Sequence, residues 1–354
     1  MQPITDIALD DTRFVPGAVL PGIVLGGDDA PDLSGADLSG ADLHGAVLTD
    51  LRAEGLNLSG ANLREAAISN AIMTEADLSG ADLTGATIEG VLMADATFAG
   101  AKMGGARITE SDLSHADFSG AKLAGITINS TMMEAAILTG CDLSGSDLCE
   151  AFLMEADLAG AVFRGVNMQR ALLKRANLAG ADFTEAVLSN AILEQATAPD
   201  AVFKGAMLVS LYAKRADLSG CDFSGAKASV ATFERAALAG SKWLNAVAEY
   251  ASFEFAGLQR AKMMESNFSM ANFVGADLAE ARAAKCDFYG ADFFWVPMDS
   301  FAHANCEMDH ARMPVVVKVK YGPGASPPPV TPIPLHVAPA SPEMRRRLSQ
   351  GKAR

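Results

Sequence analysis

The feature that most constrains this chain is a period of five. Ala36-Asp37-Leu38-Ser39-Gly40 is followed at once by Ala41-Asp42-Leu43-His44-Gly45, and the pattern continues without insertion from Pro31 to Val315. That span holds 57 consecutive pentapeptides, 285 residues in a single register. The central residue runs Leu33, Leu38, Leu43 and onward to Met313; 50 of these centres are Leu, Ile, Met, Phe or Trp, six are Ala and one is His303. Two residues before the centre, 39 of the 57 positions are Ala, and Gly is common two residues after it. A helix repeats every 3.6 residues and a strand every 2, so neither accommodates five. A chain that turns a corner every five residues does. Each side then points one large and one small apolar residue inward and three residues outward, with Gly or a polar residue easing the corner.

This pattern resembles the pentapeptide-repeat family, whose consensus is A-(D/N)-L-x-x, and the resemblance covers about four fifths of the chain. It implies an all-β, right-handed quadrilateral parallel β-helix with four pentapeptides, 20 residues, per coil. The array then makes about 14 coils, roughly 68 Å at the ~4.8 Å strand spacing. The centres test this coil length independently. Sorted at intervals of 20, one column reads Ile68, Ile88, Ile108, Ile128, another Phe163, Phe183, Phe203, Phe223, Trp243, and a third ends Phe233, Phe253, Phe273, Phe293. Like stacked on like is what parallel, in-register coils favour. Volumes compensate too: where the centre shrinks to Ala53 or Ala213, its inward neighbour grows to Leu51 or Leu211.

Three regions follow. In residues 1–30, Ala18-Val19-Leu20-Pro21-Gly22 and Ile23-Val24-Leu25-Gly26-Gly27 look like two further repeats, three residues out of phase, forming a cap joined through the turn Asp28-Asp29-Ala30. A solenoid needs caps because its end coils expose core and strand edges. Residues 31–315 are the β-helix, whose pattern decays near Phe301 and His303. Residues 316–354 hold the rest of a short strand (Val315–Tyr321), a Pro-rich linker to Pro342 and a basic end with Arg345, Arg346, Arg347, Lys352 and Arg354. Without the last ten residues the chain has 23 basic and 43 acidic groups, a net −20. Phosphates would be repelled by such a body, which argues against direct nucleic-acid binding by it and leaves a basic partner or mimicry of nucleic acid open. The N-terminus shows no Sec-type signal, no apolar run reaches the ~18 residues of a membrane helix, and five scattered Cys make no disulfide framework. The expected compartment is the cytoplasm, with no membrane association.

Outward positions carry any function. Just before the centre, the Leu38 column runs Asp37, Asn57, Asp77, Thr97, Asp117, Ile137, Asp157, Asn177, and the Leu43 column Asp42, Asn62, Asp82, Lys102, Lys122, Asp142. Two Asp never stack directly in either column, as expected where coils lie ~4.8 Å apart. These acids read as corner hydrogen bonding and solubility, or as an acidic face for a partner. The Leu33 column differs: its outward residues are Ile72, Leu92, Asp112, Met132, Phe152, Leu172, Ile192 and Tyr212, flanked by charges such as Glu75, Asp95, Glu134, Glu155, Lys174, Arg175, Glu194, Lys214 and Arg215. An apolar strip rimmed by charge is the pattern of an interaction surface. Cover by the tail and simple β-sheet preference are the alternatives.

Catalytic signals are missing, and no cofactor or catalytic set is indicated. Cys286, His303, Cys306 and His310 are grouped near one end, but the first three fall at inward positions and would not converge as metal ligands, so no metal site is expected. The leading expectation is a non-catalytic scaffold or adaptor that docks a protein partner or a second copy through Ile72, Leu92, Met132, Phe152, Leu172, Ile192 and Tyr212. The resemblance implies two further possibilities. Some family members imitate DNA and bind type II topoisomerases such as DNA gyrase, although those are generally shorter and end in an aromatic dimerisation cap. Others are long accessory proteins of bacterial type VI secretion systems.

Overall fold

The computed structural model describes residues 14–27 and 30–314. Over that span the chain is a quadrilateral parallel β-solenoid of about 14 turns, and its one helical element is a 3-10 turn at Met298–Ser300. Bridges in the regular array join residues 20 apart, as in the run Asp37, Asn57, Asp77, Thr97, Asp117. Four pentapeptides therefore close each coil. The short strands open into longer ones in two places. β1 (Val24–Leu25), β2 (Val47–Thr49), β3 (Ala67–Ser69), β4 (Thr87–Glu89), β5 (Arg107–Thr109) and β6 (Thr127–Asn129) form a six-stranded parallel sheet on the Leu48 face. β7 (Lys242–Leu244), β8 (Lys262–Met264), β9 (Arg282–Ala284) and β10 (Ala302–Ala304) form a four-stranded sheet on the Leu43 face.

Two kinds of corner account for these differences. At the common one, the centre's carbonyl accepts the N–H three residues on, as Leu33 does from Ala36 at 3.0 Å, closing a β-turn. The extended corners of the two sheets lack that bond, and at two of them a serine of the next coil accepts the N–H instead. Val91 N–H donates to Ser111 Oγ at 3.1 Å and Ala246 N–H to Ser266 Oγ at 3.0 Å. Both kinds place the fifth residue of the pentapeptide in the left-handed region. This holds at all described fifth positions except Ser300, in 23 Gly and 32 other residues. Glycine is therefore the preferred corner residue and not an obligatory one. Each L-residue there costs about 1 kcal/mol, which the surrounding ladder tolerates.

The core stacks as the columns foretell. Ile68, Ile88, Ile108 and Ile128 are successive Cα partners. The rings of Phe163, Phe183, Phe203 and Phe223 lie 4.8, 5.0 and 5.1 Å apart and nearly parallel, and Trp243 follows at 4.3 Å. Leu51 with Ala53, and Leu211 with Ala213, are fully buried, as volume compensation requires. Buried hydroxyls and thiols among the Ala positions satisfy backbone groups and, at Trp243, an indole. Trp243 Nε1 donates to Ser241 Oγ at 3.0 Å, Ser146 Oγ to the Leu123 carbonyl at 3.2 Å, and the Cys221 thiol to the Ala198 carbonyl at 3.0 Å.

At the N-terminal end, Val19 bridges Asp42 and Val24 pairs with Val47, an offset of 23 residues where the array has 20. Ile23 and Leu25 seal the first coils. Gly26 is needed there because a Cβ would sit 2.8 Å from the Thr49 carbonyl oxygen. At the other end two expectations fail. His303 and Cys306 occupy inward registers, yet His303 is exposed and Cys306 half-buried. They belong to the last described coil, which follows the 3-10 turn, and no further described coil stacks on it. Residues 1–13, Asp28 and Asp29, and the strand, Pro-rich segment and basic end expected from Val315 onward lie outside the described residues.

Candidate protein-interaction site

The Leu33 face carries the predicted strip, because alternation along each short strand puts the residue before a buried centre outward. Parallel bridges join Ile72 to Leu92, and then Met132, Phe152, Leu172, Ile192 and Tyr212 one to the next. Asp112 stands between Leu92 and Met132. The strip is therefore a pair and an uninterrupted run of five. Ile72, Phe152, Leu172 and Ile192 are half-buried, since each packs on the residue a coil away. Leu92 and Met132 are each 47% exposed, because the short Asp112 offers them no apolar neighbour.

Several rim residues pair with each other. Arg175 reaches Glu155 at 3.1 Å, Lys174 reaches Glu194 at 3.2 Å and Lys214 reaches Glu234 at 2.9 Å, each across one coil. On the opposite edge Arg170 holds Glu150 at 2.5 Å. Exposed pairs add at most about 1 kcal/mol each to stability. Their effect here is to neutralise part of the rim while leaving it polar.

The acidic columns are engaged differently. Asp37 Oδ1 accepts from the Ser39 N–H and from Asn57 Nδ2, both at 3.0 Å. Asn62 donates to Asp42 at 2.8 Å and Asn177 to Asp157 at 2.9 Å in the same way. Asp–Asn alternation is thus a hydrogen-bonded ladder between coils. Along the Leu43 face the acids also meet hydroxyls and cations. The Thr84 hydroxyl, with Lys102 and Arg64 nearby, holds the Asp82 carboxyl below the usual carboxylate range, and the Ser144 hydroxyl does so for Asp142. At Asp182 and Asp222 partial burial pushes the other way, but hydrogen bonds from Thr184 and Arg164, and from Ser224 and Lys204, prevail.

The five-residue period extends to comparison with known proteins. The sequence model for pentapeptide repeats matches residues 32–64, 61–97, 92–128, 136–175, 167–205, 188–225 and 271–294. The chain belongs to the pentapeptide-repeat family. No curated protein sequence matches it. Among solved structures, this pentapeptide-repeat protein is similar to HetL from the cyanobacterium Nostoc, a pentapeptide repeat protein involved in heterocyst differentiation regulation, with 27% identity over 62% of this chain and 88% of that one, at a TM-score of 0.32. It is also similar to QnrB1, a plasmid-mediated fluoroquinolone resistance protein, with 17% identity over 65% of this chain and 92% of that one, again at a TM-score of 0.32.

Within this pentapeptide-repeat protein no group of three or more His, Cys, Asp or Glu could hold a metal ion among the described residues. Nor is any described helix long and apolar enough to cross a membrane. The cysteines are free. Burial pushes the Cys286 thiol up to about 11 and raises Cys141 and Cys221 as well. Two sets of exposed residues escaped the sequence reading. Val230, Tyr250, Phe255, Met270 and Trp295 occupy left-handed corners in the C-terminal coils, and their signal was an apolar fifth residue where Gly is usual. Leu244 and Met264 point outward from extended corners.

Proposed function

We propose that this protein is a non-catalytic interaction scaffold that docks a protein partner, or a second copy of itself, through the Leu33 face. The observation that supports this reading is the uninterrupted column Met132, Phe152, Leu172, Ile192, Tyr212, rimmed by charges several of which are paired across coils. A partner with an apolar ridge would remove this column from water and leave the charged rim solvated. Phe152 and Tyr212 are the anchors, because large aromatic residues dominate interface energetics. Free cysteines suit a reducing, cytoplasmic setting.

Mimicry of nucleic acid is less well supported. It asks for a continuous acidic face, whereas Asp37, Asp42 and Asp157 are tied to Asn residues and Asp82, Asp182 and Asp222 to Lys or Arg. The test pairs two variants. Phe152→Ser with Tyr212→Ser leaves the urea midpoint nearly unchanged and weakens dimerisation, or capture of a partner from the native cell, by about 1 kcal/mol or more. Neutralising Asp77, Asp117 and Asp157 has little effect. The opposite outcome, loss of binding with the acids and none with the aromatic pair, sinks the strip and favours mimicry.

A further inference from the structure

A second surface lies on the Leu43 face of the C-terminal coils. Lys242, Lys262 and Arg282 are direct Cα partners in β7, β8 and β9, and all three are exposed. Like charges stacked in adjacent strands are destabilising. In the one other stacked pair of cations on this face, Lys102 and Lys122, Lys102 finds Asp82 one coil away at 3.7 Å, and at a nearby corner Lys285 finds Glu265 at 3.0 Å. Lys242, Lys262 and Arg282 have no ion pair among the described residues. The acid next in their column, Asp222, is engaged by Lys204 at 3.4 Å. Arg260 adds a fourth cation at the preceding corner, where with Lys262, Arg282 and Ser300 it lines a shallow depression whose one carboxylate is Glu280. All this sits on a body of net negative charge.

The extended corners add a second column. Two residues beyond each cation, Leu244 and Met264 are 44% and 42% exposed, with Ala284 continuing the line. The face thus presents a cationic row beside an apolar row.

We infer that this face binds an acidic amphipathic helix of a partner protein, with the helix lying along the coil axis. The spacing selects the helix. Cations repeat every ~4.8 Å, and helical residues i, i+3 and i+7 rise by about 4.5 and 10.5 Å, close to one and two coils. Side chains on one side of an extended strand repeat at about 6.8 Å, and the phosphates of one duplex strand rise by about 3.4 Å along its axis. A helix about 10 Å across also spans both rows, setting its carboxylates on the cations and its apolar face on Leu244 and Met264. A nucleic acid would meet the same cations but face repulsion from the acidic body and gain nothing from the apolar row.

Fluorescence anisotropy with the full-length protein tests this. The probe is a labelled helical peptide of about 20 residues with Glu at i, i+3 and i+7 bordering a Leu face, and its control has the same composition with the Glu spread around the helix. The ordered peptide binds at least tenfold more tightly than the control. Replacing Lys242, Lys262 and Arg282 by Gln, which removes the charge and keeps a polar side chain, weakens it at least tenfold with an unchanged circular dichroism spectrum. Leu244→Ser with Met264→Ser weakens it several-fold, and Phe152→Ser with Tyr212→Ser leaves it unaffected, which separates this face from the strip. No binding by the ordered peptide, equal binding of the two peptides, or displacement of the ordered peptide by a single-stranded oligonucleotide at lower concentration overturns the inference.

Discussion

The coils near residues 81–100 and those near 241–260 share a backbone register but fill it differently. The first carries Leu83, Ile88, Met93 and Phe98 as centres, the second Trp243, Ala248, Phe253 and Leu258. All are buried. Around Trp243 the rings of Phe223, Phe233, Phe253 and Phe268 pack within 6 Å, stacked along one face and edge-on across the corners. A coil of constant length encloses a constant volume, so a large ring on one side is balanced by Ala248 on another. The comparison teaches that the ladder specifies the fold while side-chain volume is traded within each coil. It also shows that the extended corners change face, from Leu48 in the first region to Leu43 in the second, which moves the flat outward surface to a different side.

The severest break is Leu83→Asp. An unpaired carboxylate in a dry, fully buried site costs several kcal/mol, and the urea midpoint should collapse. If stability holds, the inward register is wrong. Next, Trp243→Ala should cost about 3–5 kcal/mol, and Ile88→Ala about 2–5 kcal/mol with a smaller cavity. Ser241→Ala, which strips the partner from the Trp243 indole N–H, should cost about 1–3 kcal/mol. Equal losses for Trp243→Ala and Ser241→Ala would mean that the hydrogen bond, not the ring stack, sets the stability of the aromatic coils.

Acid should act unevenly along the chain. Asp82, Asp142, Asp182 and Asp222 have carboxyls held low in the folded state, and all four lie before the coil of Trp243. With folded values depressed, their stabilisation is complete above the unfolded value of about 3.9 and is lost as pH falls through the folded values. Amide hydrogen exchange at pH 7 and at about pH 3 should therefore show protection lost first in the coils from Asp82 to Asp222. Uniform loss would deny these hydrogen bonds a role in stability.

The smallest effect separates the two regions at their corners. Val230 has φ 61° and Gly80 has φ 68°, and a Cβ at Gly80 would meet nothing within 4 Å. Backbone strain alone then decides. Val230→Gly should stabilise by about 1 kcal/mol and Gly80→Val destabilise by a similar amount, both read from urea midpoints. No gain from Val230→Gly would mean that the exposed valine packs well enough to offset its backbone.

The period, the 20-residue coil, the buried centres and the outward column from Ile72 to Tyr212 were all determined by the sequence alone. A repeat without insertions leaves one register, and alternation within a three-residue strand leaves one outward direction. Other features were decided by tertiary structure. Whether a corner is turned or extended shows only in the folded chain, and so do the flat rows of β7–β9 and the bonds from Val91 to Ser111 and from Ala246 to Ser266. The exposure of His303 and Cys306 depends on where coil stacking ends, which no single pentapeptide encodes. The engagement of the acids likewise became visible only when stacking brought Asn57 onto Asp37 and Arg164 onto Asp182. Local pattern sets what each residue faces in its own coil, and the neighbouring coil sets which hydrogen bonds and charges remain unanswered at the surface.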